Sequence, residues 1–589
     1  MITKHYCLEL TFAGPLLSQA SGTLRMGMDT AMQRDSDGLP VLNGSLIRGN
    51  IRDALQQFAT TLKAANSQSE LLAENIKRWF GIESGDFEPQ RAKVQFDFFW
   101  RLQEPSQAQE AYRTRIQIDG NGRVKDGALQ VLEDCFPLGT TPVFIGKLRG
   151  QFAGETEAQQ FEKLIKMALQ YIPAMGSLKG IGFGRLLKAN VSESETSTET
   201  NPLDELPILE NDCFGLQLTF DRPFCIGKPR TPDSNRIESE EVIPGQVLKA
   251  IIAQQYGGDT QRLQEELCFD ALIFSHFQPA PEPASETEVM RTPPIPLSLA
   301  FVDAVLHDMS RNTANGERAP EFQPDWKFKQ EQKANEKLQR QPDSTKRILL
   351  VRTGIDQQTQ TASEGQLFSL ECIDPAKFVW CGNINLANVP ADQRATVLQH
   401  LHHCLGNGLH GIGKTKAAVS ELVYKPPFSY ISDKAESCEV NQTITLTLMT
   451  PARLFPLGWE RTNPNQTARE LYQDYWHGVS GGSLKLDNFF AQQKRVGGAY
   501  HYHHFQRKHG NYTPEWLTTA GSVFMLQILD AGKAKTLIDS WLRKGLPLPQ
   551  HETETWKPKE RWQRSSYLPE HGYGEVVLNW HPDLQGDKA

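Results

Sequence analysis

Three short motifs occur twice along the chain in the same order, and this duplication constrains the fold more than any other feature of the sequence. Each copy begins with a glycine that opens a helical pattern. It continues with an Arg-Thr strand pattern that leads to a Gly-x-Leu element, and it ends in a glycine-rich loop. The first copy comprises residues 41–49, 113–133 and 176–184, and the second comprises 242–250, 352–371 and 406–414. One such match would be unsurprising, whereas three matches in the same order indicate a duplicated structural unit.

Alternating apolar residues predict a strand at the start of each copy, and a third such strand begins the last part of the chain. The three strands lie at 6–12, 214–220 and 443–448. A strand, a loop, a glycine-opened helix and then further strands are typical of an α+β fold in which helices cover one face of an antiparallel sheet.

Polar segments divide the 589 residues, which are too many for one hydrophobic core. The acidic stretch 192–204 cannot bury an apolar face and is typical of a linker. A Pro- and Glu-rich stretch and a charged stretch indicate an insertion at about 279–346, with a short helix near 328–338. We therefore predict a first domain at 1–191, a linker at 192–210, and two further halves at 211–425 and 440–589.

Composition excludes several classes of protein. No apolar run reaches the ~18–20 residues that a membrane helix needs, and the first residues show no signal-peptide pattern. The nine cysteines form no CxxC pair, which argues against a zinc ribbon or a disulfide framework. We expect a cytoplasmic protein with no membrane partner. The net charge of −8 argues against a free-standing nucleic-acid binder, but it allows a subunit with a local basic groove.

The two glycine-rich loops each follow a helical pattern and precede a strand pattern. Closely spaced glycines let backbone N–H groups approach a phosphate, and nearby cations add charge to the contact. The alternative to phosphate binding is that both loops are tight helix-to-strand turns with only a structural role. The candidate phosphate-binding residues are Lys179, Gly180, Gly182, Gly184 and Arg185 in the first loop, and Gly411, Gly413 and Lys414 in the second.

Residues 408–415 also satisfy the nucleotide-binding pattern G-x-x-x-x-G-K-[ST]. That motif requires a strand before the loop and a helix after it, so that the helix N-terminus faces the phosphates. The order here is the reverse, which argues against ATP or GTP binding.

Each glycine-opened helix carries a cation in its first turn. Arg48 follows Gly44, and Lys249 follows Gly245, so that a cation and free backbone N–H groups converge on one anion-binding position. A solvated surface cation is the alternative for either residue taken singly.

Asp29 lies in a polar loop, residues 27–40, between the first strand and the first helix. Acidic loop residues usually cap turns or face water. An aspartate beside a bound nucleic-acid backbone can also hold a divalent metal, which activates a 2′-OH or water and stabilises the leaving oxygen. The residues alone leave both interpretations open.

The first copy resembles the backbone subunit of type III CRISPR complexes, which belongs to the RAMP superfamily of ferredoxin-like (RRM-like) RNA binders. The motifs that carry the resemblance are Asp29-x4-Arg34-Asp35, Leu39-Pro40-x3-Gly44-Ser45-Leu46-x-Arg48-Gly49 and residues 180–184. The resemblance implies that Asp29 cuts guide-bound target RNA with Mg²⁺ or Mn²⁺. It also implies that Gly44, Ser45 and the glycine loop hold the guide backbone, and that residues at about 90–127 form a protruding β-hairpin thumb. Asn43 departs from the family, which usually has proline there.

From about residue 205 onward, the chain resembles the RAMP subunit that caps the 5′ handle of the guide in type III-D systems. The matching segments are 242–245, 352–356, 362–368, 411–413, 497–498, 520–524 and 572–576. This part lacks a clear aspartate where Asp29 would align. The nearest, Asp233, lies closer to Gly245, and we do not assign it cleavage.

The stretch 501–509 is the most basic and aromatic part of the chain. Stacking on the RNA handle, or hydrogen bonding to it, is the predicted role of His501, His503 and Arg507. A zinc site is disfavoured because no cysteine or carboxylate stands at ligand spacing. An ordinary surface loop is the remaining alternative.

Together these features predict a fusion of a target-cutting backbone unit with a 5′-handle cap. Its expected partners are crRNA, target RNA and other type III subunits: a large polymerase- or cyclase-type subunit, further backbone subunits and a small helical subunit. One alternative is a scaffold in which Asp29 is inert. Another is a metal-independent crRNA-processing RNase that uses His501, His503 or His504. Whether Asp35 or Asp37 assists Asp29 stays open.

Overall fold

The computed structural model describes most of the chain, which forms two compact units. The described residues are 2–20, 28–35, 37–63, 68–82, 92–194, 205–229, 234–282, 291–311, 319–338, 345–355, 362–430, 439–498, 501–507, 512–557 and 561–582. One unit comprises 1–198 with 349–367, and the other comprises 199–348 with 368–589. Within the described residues, no helix is both long and apolar enough to cross a membrane.

The first unit is built on a six-stranded antiparallel sheet with a separate hairpin. Its sheet order is β2-β4-β7-β1-β8, with β3 paired to β7, and β5 pairs with β6 as the hairpin. The elements are β1 (Ile2–Ala13), β2 (Val41–Asn43), α1 (Gly44–Lys63), α2 (Gln68–Phe80), β3 (Val94–Phe96), β4 (Phe99–Leu102), β5 (Tyr112–Ile118), β6 (Val124–Glu133), β7 (Val143–Phe152), α3 (Glu155–Tyr171) and β8 (Arg185–Glu193).

Side-chain alternation explains which face of β1, the strand between β7 and β8, packs against the core. Tyr6, Leu8, Leu10 and Phe12 are buried on one face, as the period of two along a strand requires. These four side chains share one core with apolar residues of α1, α2 and α3. Helix α1 contributes residues at helical spacing, of which Ile47 is one. The predicted strand at 6–12 and the helix that begins at Gly44 are both confirmed.

The protruding hairpin lies further along the chain than predicted. Strands β3 and β4 fall inside the predicted thumb at 90–127, but both are hydrogen-bonded into the main sheet. The free-standing hairpin runs from Tyr112 to Glu133. Alternating apolar residues did not reveal this difference, because β3, β4 and the hairpin strands carry similar patterns.

Residues 205–425 include another sheet of the same type. Its order is β13-β20-β9-β22-β21, with β14 paired to β20. The elements up to residue 425 are β9 (Cys213–Phe220), β10 (Ile226–Gly227), β11 (Arg236–Ile237), β12 (Ser239–Glu240), α4 (Gly245–Gln255), α5 (Thr260–Leu267), β13 (Ile273–Phe274), β14 (Gln278–Pro281), β15 (Leu299–Val302), β16 (Val305–Asp308), β17 (Glu321–Phe322), α6 (Phe328–Lys337), β18 (Arg347–Ile355), β19 (Ala362–Ile373), β20 (Phe378–Asn385), α7 (Arg394–Gly406), β21 (His410–Ile412) and β22 (Ala417–Lys425).

The insertion is more ordered than its composition indicates. Strand β14 belongs to the main sheet, so the insertion starts later than the predicted residue 279. It contains a three-stranded sheet of order β16-β15-β17 and helix α6. The predicted short helix near 328–338 corresponds to α6.

The last part of the chain forms a third sheet with its own core. Its order is β24-β27-β23-β28, and β25 pairs with β26. The elements are β23 (Thr443–Leu448), α8 (Trp459–Thr462), α9 (Ala468–Ser480), β24 (Leu484–Phe490), β25 (Gln493–Val496), β26 (Glu515–Thr518), β27 (Val523–Ile528), α10 (Ala531–Lys544), α11 (Gln550–Thr555), α12 (Arg561–Arg564) and β28 (Val576–Leu578). Three helix-covered antiparallel sheets confirm the predicted α+β class.

The duplication extends to backbone conformation. In the glycine loops, φ is +90° at Gly182 and +92° at Gly411, and +69° at Gly184 and +66° at Gly413. Each pair therefore has the left-handed conformation that glycine adopts without strain. The hairpin β5–β6 likewise has a counterpart in the hairpin of β18 and β19.

We expect Gly184→Ala to lower the unfolding midpoint of the chain more than Gly182→Ala does. Left-handed backbone costs a non-glycine residue about 1–2 kcal/mol at either position. A Cβ at Gly184 would also lie 1.9 Å from the carbonyl oxygen of Met175, whereas a Cβ at Gly182 would meet open space. Thermal unfolding of the two full-length variants measures the difference, and equal midpoints would contradict the close approach at Gly184.

Candidate nucleic-acid interface

Asp29 lies at the root of the first hairpin. Its backbone N–H donates to the carbonyl oxygen of Val131 at 3.0 Å, and its Oδ2 accepts the N–H of Val131 at 2.7 Å. The next residue, Thr30, pairs in parallel with Leu132 of β6. Asp29 is nevertheless exposed to solvent. The hairpin thus fixes the carboxylate in position while one side of it faces the outside.

A buried ion pair holds the Asp29 segment against β6. Glu133 accepts the N–H of Met32 at 2.7 Å and pairs with Arg34 at 2.6 Å. Arg34 also donates to the carbonyl oxygen of Gly38 at 2.6 Å. Because the Glu133 side chain is 2% exposed, its charge requires this partner. The segment is therefore attached to β6 on both sides of residue 31.

Asp35 is engaged in closing a turn rather than in facing the surface beside Asp29. Its Oδ1 accepts the N–H groups of Asp37 at 3.1 Å and Leu39 at 2.9 Å. Its other oxygen lies 3.6 Å from Arg101, and its side chain is 3% exposed. Asp37 is exposed in the same turn.

The first glycine loop is attached to the same hairpin root. Arg113 of β5 pairs with Asp134 at 2.8 Å, and its guanidinium lies 5.3 Å from the ring centre of Phe183. The loop is also bound to the chain that leaves β1, because the N–H of Gly184 donates to the carbonyl oxygen of Pro15 at 2.8 Å. Asp29, the hairpin and the glycine loop therefore form one connected surface.

The predicted residues of this loop divide into two groups. Lys179, Gly180, Gly182 and Arg185 are exposed, and a Cβ at either of these glycines would meet nothing within 4 Å. Gly184 is buried against the carbonyl oxygen of Met175, so it provides close backbone packing and not an open phosphate contact.

The start of α1 also combines packing and exposed residues. Gly44 is buried, since a Cβ there would lie 1.7 Å from the carbonyl oxygen of Asp97. Ser45 is exposed in the first turn. Arg48 is half-buried and donates to the carbonyl oxygen of Phe80, the last residue of α2. Arg48 thus stabilises the C-terminus of α2, a role that the sequence pattern did not indicate.

In the second unit, the equivalent glycine loop is open at the same position. A Cβ at Gly411 would meet nothing within 4 Å, and Lys414 is exposed. Gly413 corresponds to Gly184, because a Cβ there would lie 2.6 Å from the carbonyl oxygen of Cys225. The N–H of Lys414 donates to the same oxygen at 2.9 Å.

The start of α4 does not form the predicted exposed anion site. A Cβ at Gly245 would lie 2.0 Å from the carbonyl oxygen of Phe274 and 2.8 Å from that of His571. Lys249 is 3% exposed, and its ammonium lies 4.9 Å from the ring centre of Phe269. Burial lowers the pKa of Lys249 to about 8. Protein therefore covers the surface at which Gly245 and Lys249 were expected to bind RNA.

The covering element is a third glycine turn, near the C-terminal end of the described chain. His571, Gly572 and Tyr573 donate backbone hydrogen bonds to Leu568 and Pro569 in the pattern by which residues 181–183 donate to residues 178 and 179. Gly572 has a φ of +89°, close to that of Gly182. Sequence similarity among short glycine turns did not reveal which of them packs against protein.

A buried arginine holds this third turn in place. Arg291 makes two hydrogen bonds to Glu575, at 2.9 and 2.6 Å, and its guanidinium lies 4.1 Å from the ring centre of Tyr430. Glu575 directly follows Gly574, as the exposed Arg185 follows Gly184. The third turn therefore presents a carboxylate to a protein cation where the first presents a cation to the outside.

The basic and aromatic stretch is partly interior. His501 is 5% exposed, and its Nε2 lies 2.8 Å from Glu515, which also pairs with Arg453 at 3.2 Å. Burial raises the pKa of the Glu515 carboxyl, but Arg453 and His501 outweigh burial and hold that pKa below its ordinary value. The prediction that His501 faces RNA therefore does not fit its position. His503 is half-buried and Arg507 is exposed, and their contacts with RNA stay predictions.

Asp29 offers an exposed carboxylate to a metal ion. Among the described residues, no group of three or more His, Cys, Asp or Glu side chains could hold a metal ion. Mg²⁺ in proteins commonly takes one or two carboxylates and completes its shell with water and substrate phosphates. The exposed carboxylate of Asp29 fits such a partial site.

Two family models match the chain. The RAMP superfamily model matches residues 14–187, which include Asp29 and the first glycine loop. The model of the CRISPR-associated protein Cas_Cmr3 matches residues 329–577. Residues 14–187 therefore belong to the RAMP superfamily, and residues 329–577 are Cmr3-like. These two matches confirm the resemblance to RAMP CRISPR effector proteins that the motifs predicted.

Solved structures are similar over about a third of the chain. One is a chain of "Cryo-EM structure of the Type III-B Cmr-beta bound to cognate target RNA", with 12% identity and a TM-score of 0.22, covering 32% of this chain and 97% of that chain. Another belongs to "Type IV-B CRISPR Complex", with 13% identity and a TM-score of 0.24, covering 33% of this chain and 91% of that chain. No curated protein matches the chain.

We expect the chain to lose stability as the pH falls from about 6.5 towards 4, because of His276 and His571. Burial lowers the pKa of His276 to about 4, and burial followed by repulsion from Lys249 lowers that of His571 to about 3. Because these pKa values lie below the unfolded value of about 6.5, the stabilisation is complete above pH 6.5 and is lost as the pH falls. Thermal unfolding between pH 7 and 5 measures the loss.

The double variant His276→Gln, His571→Gln is the control, since it removes both titrating groups. Its unfolding midpoint should change less between pH 7 and 5 than that of the natural chain. An equal change in the two proteins would assign the pH dependence to other groups.

Proposed function

We propose that this chain is a subunit of a type III CRISPR ribonucleoprotein, of type III-D, that binds the backbone and 5′ handle of crRNA and cuts guide-paired target RNA at Asp29. The observation that carries the proposal is the position of Asp29. Its carboxylate is exposed, is fixed to the root of a protruding hairpin, and shares a connected surface with a glycine loop.

The two open glycine turns support binding to an RNA backbone. At Gly182 and Gly411, the backbone is left-handed and the space where a Cβ would stand contains no other protein atom, so a phosphate can approach the turn closely. Exposed cations, namely Lys179, Arg185 and Lys414, flank them. Backbone contacts of this kind hold an RNA by its sugar-phosphate chain and leave its bases free to pair. Sequence specificity would then come from pairing between guide and target.

The chain's own residues would position the cut. A bound divalent cation would supply charge stabilisation at the reacting phosphate and activation of the attacking oxygen. Asp29 would hold that cation with Oδ1, while the N–H of Val131 binds Oδ2 and orients the carboxylate. Glu133 and Arg34 keep the segment at a constant distance from β6. The hairpin would separate bases beside the scissile bond.

The fusion of two RAMP parts would place the cut at one distance from the 5′ end of the guide. The Cmr3-like part would hold the 5′ handle, and the first unit would cut at a position set by the length of the chain between them. We therefore propose one cut position per subunit. The complex would also contain a large polymerase- or cyclase-type subunit, further backbone subunits and a small helical subunit.

A scaffold role, in which the chain binds RNA but Asp29 is inert, is the second candidate. It is favoured by the finding that, among the described residues, no group of three or more His, Cys, Asp or Glu side chains could hold a metal ion. A histidine-based RNase is less well supported, because His501 is buried against Glu515. RNA binding is expected of both the cutting and the scaffold proteins, so only cleavage of target RNA separates them.

We expect Asp29→Asn to reduce target cleavage by at least about a hundredfold, because the amide weakens a metal contact that the carboxylate makes. Excess chelator should abolish cleavage by the natural chain. The assay uses the complex purified with its co-purifying short RNA, and gel analysis of a labelled complementary target. Glu104→Gln is the matched control, since it removes an exposed carboxylate elsewhere in the first unit.

Binding of target RNA by the Asp29→Asn complex should be unchanged, which distinguishes lost chemistry from lost assembly. Cleavage that persists both in the Asp29→Asn complex and in chelator would contradict the metal mechanism. A natural complex that binds target but never cuts it would favour the scaffold role.

A further inference from the structure

The second unit carries an arginine at the position that Asp29 occupies in the first. Thr30 pairs in parallel with Leu132, and Ile237 pairs in parallel with Leu370. Leu132 and Leu370 are equivalent members of the duplicated motif, since each precedes a buried glutamate in the second strand of a hairpin. Thr30 therefore corresponds to Ile237. Asp29, which precedes Thr30, corresponds to Arg236, which precedes Ile237.

The register places Arg236 beside the hairpin as Asp29 is placed. Val131 donates its N–H to the side chain of Asp29, whereas its counterpart Ser369 donates to the carbonyl oxygen of Asn235 at 3.1 Å. In the second unit, a backbone carbonyl oxygen thus accepts the N–H that the Asp29 side chain accepts in the first unit. The Arg236 side chain is therefore not needed as a partner for the N–H of Ser369.

The charged residues around Glu133 and around its equivalent Glu371 have opposite signs at two matching positions. In the first unit, Arg34 neutralises buried Glu133, and Asp29 is the outer group. Five residues after Arg236, at the position of Arg34, stands Glu241. Buried Glu371 instead receives two arginines, Arg236 and Arg347, and Arg347 also pairs with Glu241 at 3.0 Å. The outer group is therefore negative in the first unit and positive in the second.

Arg236 has donors to spare for a ligand. Its side chain is 53% exposed, and only Nη2 is engaged, by Glu371. In the described part of the chain, its Nε and Nη1 have no protein partner. Arg347 satisfies Glu371 from the other side, so Glu371 does not depend on Arg236 alone. The neighbouring carboxylate of Glu238 lies 3.9 Å from Lys228.

Arg236 also lies close along the chain to β12, a strand that packs beside the second glycine loop. Three residues after Arg236, Ser239 pairs with Gly227. A Cβ at Gly227 would lie 3.6 Å from the Cε of Lys414 in that loop. An RNA backbone that follows the open turn at Gly411 therefore passes close to the segment of Arg236.

We propose that Arg236 binds a backbone phosphate of RNA at the position equivalent to the cutting site of the first unit. A guanidinium matches phosphate oxygens with a fixed fork of donors, and it repels the divalent cation that Asp29 would attract. The second unit thus grips RNA at the place where the first unit cuts it. Arg347 is a positioning residue that holds Glu371 and leaves the outer donors of Arg236 to the phosphate. This inference rests on the proposed function.

The test is the salt dependence of RNA binding by the full-length chain in its complex. The probes are the RNA that co-purifies with it, labelled with fluorescein, and the same RNA annealed to a complementary target in excess chelator. Arg236→Gln keeps a donor for Glu371 and removes the charge, whereas Arg236→Lys keeps the charge. Arg543→Gln, at an exposed arginine near the end of α10, is the matched control.

The association constant for RNA falls as the salt concentration rises. Loss of one phosphate contact should reduce the magnitude of the slope of its logarithm against the logarithm of salt concentration by about 0.7–0.9. We expect this decrease, and binding weakened roughly threefold to tenfold, in Arg236→Gln but not in Arg236→Lys or Arg543→Gln. If the slope decreases with the unpaired guide RNA, the phosphate belongs to the guide. If it decreases only with the guide–target duplex, the phosphate belongs to the target. Slopes unchanged in both arms, while the natural chain binds RNA, would overturn the Arg236 site and leave the proposed function standing.

A second measurement needs no variant. RNA should protect Arg236 of the natural chain from modification by phenylglyoxal, as read by mass spectrometry, while Arg543 reacts equally with and without RNA. Equal modification of Arg236 in both states would refute the contact. A natural chain that binds neither probe would refute the proposed function itself, and the Arg236 site with it.

Discussion

A buried glutamate in the second strand of each hairpin is the constraint on which the candidate interface depends. Removing one partner of such a buried pair costs about 3–5 kcal/mol, because the other charge is left without compensation inside the protein. Glu133 must therefore keep Arg34, and Glu371 must keep at least one of its two arginines. Because these pairs attach the preceding loop to the hairpin, they decide which side chain stands at its outer edge. The same scaffold thus presents Asp29 in one unit and Arg236 in the other.

The three glycine turns show how one backbone shape serves different purposes. Gly182, Gly411 and Gly572 all have left-handed φ values near +90°. The turns at Gly182 and Gly411 are open. The turn at Gly572 is covered by protein, since a Cβ there would lie 2.7 Å from His276. Phosphate binding requires both the turn and free space beside it. Of these three turns, the chain therefore leaves two open and uses the third to join the parts of its second unit.

Much of the fold was predictable, because its signals are local. Alternation along β1 and helical spacing in α1 follow from geometry that a few neighbouring residues share. The boundaries of the hairpin were not predictable in the same way, since β3 and β4 carry strand patterns whether they join the main sheet or a hairpin. Among the site residues, Glu133 was missed although the sequence contained its signal: the recurrence of Leu-Glu at the end of both Gly-x-Leu motifs.

The sequence by itself determined the duplication, the α+β class, the glycine turns and the candidate status of Asp29, because periodicity, left-handed backbone and motif order can all be read along the chain. Only the tertiary structure decided which of these features face outward. Lys249 and His501 look like surface cations in the sequence, yet elements distant along the chain cover them. The equivalence of Arg236 with Asp29 is likewise a matter of strand register. Burial and register both arise from contacts between residues far apart in the chain, which no local pattern encodes.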